Sequence, residues 1–200
     1  MTRKLCVAAP IALLAGLLFV IAPARAEAGG CQLQGTATFT PGLSNTAGNF
    51  TYGFTGSLTS CQSTNSGAPA TGTVEAGQVY TDPTTGEKFQ EPAATGSGTC
   101  ANGTTSGTSM ITWADGTRTI ISYTTVSAGA AVKLAGQVVP SWTLPAINPA
   151  VGQPTSITLS STRYSGDTAN GALAFQADPT QCAGAGVTSA AINGLTTLNS

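Results

Sequence analysis

Apolar and polar residues alternate with a period of two along most of this chain, and that pattern narrows its fold more than any other feature. Leu33, Ala37 and Phe39 alternate with polar residues, as do Phe50, Tyr52, Phe54 and Leu58. Pro41-Gly42 and Ser44-Asn45 mark a loop between the two runs. Val74, Ala76 and Val79 continue the pattern, followed by Ser109, Ile111 and Trp113 set against Met110 and Thr112. Ala114-Asp115-Gly116 then turns into residues 117–126, which carry Ile120, Ile121 and Tyr123. Asp-Gly between two β-rich runs is a strong hairpin signal. Residues 131–139, 156–164, 171–177 and 186–192 complete the set, which amounts to about nine or ten short strands at the spacing of an all-β sandwich or barrel. Outside the N-terminal segment no run repeats apolar residues at i, i+3 and i+4, so helices are not expected. The expectation is one all-β domain, an antiparallel sandwich of Ig-like or jelly-roll-like type. Loops are expected at residues 62–71, 81–98 and 140–154, the last crossing over the sheets.

The N-terminus sets the chemical setting. Arg3 and Lys4 precede an apolar run over residues 5–21, and Ala24-Arg25-Ala26 places small residues where a signal peptidase reads them. That is the layout of a secretory signal peptide over residues 1–26. It leaves residues 27–200 as a single extracellular domain, long enough to bury a core. In an oxidising compartment Cys31, Cys61, Cys100 and Cys182 read as two disulfides, and Cys6 leaves with the leader. If the first two strands form a hairpin centred near residue 46, Cys31 faces Cys61 at its open end. Cys100 then pairs with Cys182. No C-x-x-C occurs, and the chain contains no His, so mixed Cys/His zinc sites are excluded and no metal or other cofactor is expected.

Charge excludes further classes. Charged residues make up 8% of the chain, against about 25% in ordinary soluble domains. After the leader, eight acids face four bases (Lys88, Arg118, Lys133, Arg163), a net charge of −4. Four scattered bases give no footprint for nucleic acid or anionic lipid. No second apolar run is long enough to span a bilayer.

Catalytic chemistry finds little support. Without His, and without G-x-S-x-G or S-x-x-K, a serine nucleophile lacks its usual base. Paired carboxylates are the remaining hydrolytic option, with Glu75, Glu87, Glu91, Asp115, Asp167 and Asp178 as candidates. Asp115 and the Asp178-Pro179 pair already have sufficient reason to exist as turn residues. Asp82, Asp167 and Asp178 are isolated acids rather than a calcium loop. Asn49-Phe50-Thr51 and Asn102-Gly103-Thr104 match the glycosylation sequon. For ligand binding the aromatics stand out: Trp142 on a Pro-flanked segment, and Trp113 and Tyr123 across a hairpin. For Trp142 the choice lies between a core plug and the anchor of a binding face, and the core is favoured.

Cys31-x-x-x-Gly35, Phe39-Thr40-Pro41-Gly42-Leu43, Phe54-Thr55-Gly56, Cys61-Gln62-Ser63, Trp113-Ala114-Asp115-Gly116-Thr117 and Cys182-x-x-x-Gly186 together resemble small secreted β-sandwich proteins of actinobacteria. The resemblance covers nearly all of residues 27–200. It implies a free secreted β-domain and transfers no functional residue. The expected function is a secreted, non-catalytic binding or interaction module for an extracellular protein or glycan. Carboxylate-based hydrolysis of polysaccharide is the alternative, followed by proteinase inhibition through residues 62–71.

Overall fold

The computed structural model describes residues 28–199; the signal peptide expected at residues 1–26, with Cys6, lies outside them. The alternating runs become strands β1 (Gly29–Leu43), β2 (Gly48–Ser63), β3 (Gly72–Ala76), β4 (Val79–Thr81), β5 (Lys88–Gln90), β6 (Ala94–Gly98), β7 (Asn102–Trp113), β8 (Arg118–Ala128), β9 (Ala131–Val139), β10 (Ser141–Pro145), β11 (Ser156–Ser160), β12 (Thr168–Gln176) and β13 (Val187–Asn199). One short helix, α1 (Pro179–Ala183), precedes β13. Its N-cap is Asp178, whose carboxylate accepts from the Thr180 amide at 2.9 Å.

These strands do not form a sandwich. The order β1-β13-β12-β9-β8-β7-β3-β2 returns to β1, because β1 pairs along its length with both β2 and β13. The sheet closes into an antiparallel eight-position barrel of up-and-down order. β3 and β6 share one position: β3 pairs Phe54–Leu58 of β2, and β6 pairs Gly48–Tyr52. The expectation of two packed sheets is therefore corrected. Alternation requires one buried face, and a curled sheet buries that face against itself as well as against a second sheet.

Closure depends on glycines that face inward and let rings lie against the wall. A Cβ on Gly35 would fall 2.4 Å from the Phe54 ring, and one on Gly96 would fall 2.4 Å from the Phe50 ring. The interior holds Leu33, Ala37, Phe39, Leu58, Ile111 and Ile121, among others. Threonine, serine, glutamine and alanine dominate the outward positions of β1, β2, β9 and β12. A transmembrane barrel has the opposite sense, with its apolar face toward lipid. No helix among the described residues is long and apolar enough to cross a membrane.

Two excursions leave the wall and pack together outside it. Between β3 and β6 the chain forms the β4–β5 hairpin, and between β9 and β12 it forms β10–β11. Phe89 bridges to Ala146, and the Ile147 amide donates to the Lys88 carbonyl at 2.8 Å. Beneath them lies a second core of Phe89, Met110, Ile120, Leu144 and Leu159, in which Met110 and Ile120 are outward residues of β7 and β8. Residues 81–98 and 140–154, expected as loops, thus contain β5, β6 and β10.

Both disulfides are present. Cys31–Cys61 joins β1 to β2 at one end of the barrel, and Cys100–Cys182 ties the β6–β7 turn to α1 at the other. The first closes the open end of the hairpin, whose outermost pair before the loop is Thr40 with Thr51. Each constrains the unfolded chain, an effect worth about 3–5 kcal/mol for loops of these lengths.

Candidate functional site

The inward faces of the barrel enclose a cavity of about 160 Å³. Its lining is apolar and aromatic apart from a few hydroxyl and amide side chains, and no charged residue contributes to it. An apolar cavity of about 150 Å³ stays dry and admits a molecule the size of benzene.

The two ends of the barrel differ. Where Cys31–Cys61 sits, Tyr164 lies against Trp113 with ring centroids 5.7 Å apart, and both are buried. Trp113 Nε1 donates to Thr119 Oγ1 at 2.9 Å. Tyr164 takes a left-handed backbone, φ 58°, and a Cβ on Gly29 would lie 2.7 Å from its hydroxyl. This end is plugged. Toward the other end Thr105, Thr125, Ser127, Val132 and Leu134 face the cavity and remain half-exposed. The mouth lies there, beside an aromatic cluster in which Phe39 meets Phe50 edge-on at 5.7 Å and Phe175 at 6.0 Å.

One polar feature crosses this apolar interior. Tyr123 and Tyr52 share a hydrogen bond of 2.6 Å between their hydroxyls. Tyr52 shares another with Thr105 at 3.1 Å, and Thr105 one with Thr125 at 2.7 Å. All four side chains line the cavity. Burial pushes both phenols above their ordinary range, so they stay neutral at any physiological pH.

A buried carboxyl sits at the joint between barrel and excursions. Glu91 follows β5 and is 0% exposed. Its Oε2 accepts from the Gln78 amide at 3.0 Å, while Oε1 has no hydrogen-bond partner. Burial, assisted by the charge of Glu75, pushes its pKa up to about 7 against backbone hydrogen bonds from Gln78 and Gly77.

The aromatics singled out in the sequence divide between two places. Trp113 and Tyr123 line the cavity. Trp142 is half-buried on β10 and packs on the outer core. It neither plugs the barrel nor joins the other two on one face. Tyr52 was read as a residue of the alternating apolar face and not as a site residue, and Thr105 and Thr125 were not singled out. For Tyr52 a signal existed, since it sits in phase with Phe50 and Phe54 on one strand. The two threonines look like any other strand threonines.

Of the candidate acids, Glu75 lies near enough to Glu91 to act on its charge, and neither lines the cavity. Asp115 makes the β7–β8 turn, accepting from the Thr117 amide at 2.9 Å and pairing with Arg163 at 3.0 Å. Asp178 caps α1, and Asp82 accepts from the Thr84 amide at 2.8 Å. Among the described residues no three His, Cys, Asp or Glu side chains gather as a metal site. The chain matches no protein-family model, no curated protein and no solved structure.

Proposed function

We propose that the chain is a secreted, non-catalytic binding module whose site is the barrel interior and whose ligand is a small, mostly apolar molecule. One observation carries this reading: a closed barrel keeps an uncharged cavity of about 160 Å³ where side chains could have filled it. Eight strands are the size at which a barrel interior either fills with side chains or holds one small ligand. The two disulfides and the leader-like N-terminus support an extracellular setting, in keeping with the resemblance to secreted actinobacterial proteins.

Carboxylate-based hydrolysis receives less support. Glu91, the carboxyl with the raised pKa, is fully buried and does not line the cavity. A glycan platform is also weakened, because Trp142 is spent partly on the outer core and is separated from Trp113 and Tyr123.

Thermal unfolding of the oxidised protein tests the proposal. A ligand that binds only the folded state stabilises it by mass action, by about 2.7 kcal/mol at a hundred times its Kd. A rise in Tm with millimolar ethylbenzene, and no retention on insoluble glycans, is the expected result. An unchanged Tm together with glycan retention would overturn it.

A further inference from the structure

The hydroxyl chain inside the barrel says more about what would bind there. Each hydroxyl has one proton to donate and two lone pairs to accept with. Tyr123, Tyr52, Thr105 and Thr125 carry four protons and share three hydrogen bonds. One O–H is therefore left over, and when the three bonds run in one direction it lies at one end of the chain or the other. If the protons point toward Thr125, the spare donor meets water at the half-exposed mouth. Tyr123, which is buried, then presents a lone pair. If they point the other way, Tyr123 presents the donor. The four hydroxyls can thus offer the interior either a donor or an acceptor by rotating protons, with no heavy atom moving. The rest of the lining contains no ionised side chain, so a charged ligand would be buried without a counter-charge.

We propose that the Tyr123–Tyr52–Thr105–Thr125 hydroxyl chain is the polar anchor of the barrel site, and that the site takes an uncharged molecule about one aromatic ring in size bearing a single carbonyl or hydroxyl group. This rests on the barrel interior being the binding site. The size follows from the cavity volume, the neutrality from the lining, and the single polar group from the proton count.

Three probes of nearly equal shape separate these points by calorimetric titration of the oxidised protein: ethylbenzene, acetophenone and benzoate. Both neutral probes bind, and benzoate binds at least about a hundredfold more weakly than acetophenone, as expected when an ion loses its hydration unpaired. Replacing Tyr52→Phe and Tyr123→Phe together lowers acetophenone affinity about tenfold, the loss of one hydrogen bond, and leaves ethylbenzene unchanged. In the unaltered protein the infrared carbonyl stretch of bound acetophenone lies below its value in hydrocarbon solvent. That reading needs no variant and decides the matter should the double variant fail to fold. Binding of neither neutral probe would overturn the barrel site itself. Binding of both with an unshifted carbonyl stretch would overturn the anchor alone, and benzoate binding as tightly as acetophenone would overturn the neutrality of the ligand.

Discussion

The molecule has two hydrophobic cores, and they are packed differently. The outer core is small: Phe89, Ile120 and Leu144 are at most 1% exposed, with Tyr80, Val139, Trp142, Ala146 and Ile157 partly buried against them. The barrel core is several times larger, and its side chains, unlike those of the outer core, line a cavity of about 160 Å³. Protein interiors are otherwise close-packed, and voids cost contact energy. A cavity in one core that the other core does not line separates structural packing from the space in which we propose that a ligand binds. The outer core fastens the excursions to the wall formed by β7 and β8.

Truncation in the outer core should give the largest effect. Leu144→Ala leaves a cavity among rigid neighbours and costs about 2–5 kcal/mol in urea or thermal unfolding. Ethylbenzene affinity stays the same, since Leu144 does not line the barrel cavity. If binding fell with stability, the two cores would not be separate.

Between the cores, Glu91 should make stability depend on pH. Its folded pKa, about 7, lies above the ordinary value of 4.5, so the folded state holds a proton that the unfolded state releases. The stabilisation is complete below about pH 4.5 and is lost as pH rises through 7, a difference on the order of 2–3 kcal/mol. Asp115 and Asp178 act in the opposite direction at lower pH. Hydrogen bonds from Thr117 and Thr180 hold their carboxyls below the usual range, so their contribution is lost as pH falls. Unfolding followed from pH 4.5 to 8 should show declining stability in the native chain and a flat profile in Glu91→Gln. A native profile that rises across that window would contradict the assignment of a buried, protonated Glu91.

The smallest stability change should come from filling the barrel core. Leu173→Phe adds volume where the barrel has space and should shift stability by about 1 kcal/mol or less, below the usual cost of overpacking. Ethylbenzene affinity should nevertheless drop at least about tenfold, equal to about 1.4 kcal/mol of binding energy. A cost of several kcal/mol would show that the space is already filled.

The strands were legible where apolar residues mark one face, as in β1, β2, β8 and β9. The Asp115-Gly116 turn was legible because only a short list of residues suits that geometry; Gly116 takes φ 80°. β6 and the first half of β7 were harder to read because their inward positions are Gly96, Gly98, Gly103 and Thr105, which carry no apolar signal. Closure of the barrel was illegible for a different reason. It depends on β1 pairing with β13, at opposite ends of the chain, and alternation within a strand says nothing about which distant edge that strand will meet. The site was partly visible, through Trp113 and Tyr123. The hydroxyl chain was not, since it exists only once β2, β7 and β8 curve their inner faces together. Trp142 was expected on a loop because the prolines around it suggested a crossover; it lies in the β10–β11 hairpin and packs against the outer core, not inside the barrel.

The two tryptophans report on the two cores separately, Trp113 from the cavity and Trp142 from the outer core. Bromobenzene is apolar, close to benzene in size, and quenches indole emission on contact. Titrating it into Trp142→Phe, which leaves Trp113 as the reporter, and into Trp113→Phe, which leaves Trp142, locates the ligand directly. The prediction is saturable quenching of Trp113 and only weak, linear collisional quenching of Trp142. Saturable quenching of Trp142 with Trp113 unaffected would place the binding site outside the barrel and contradict the account.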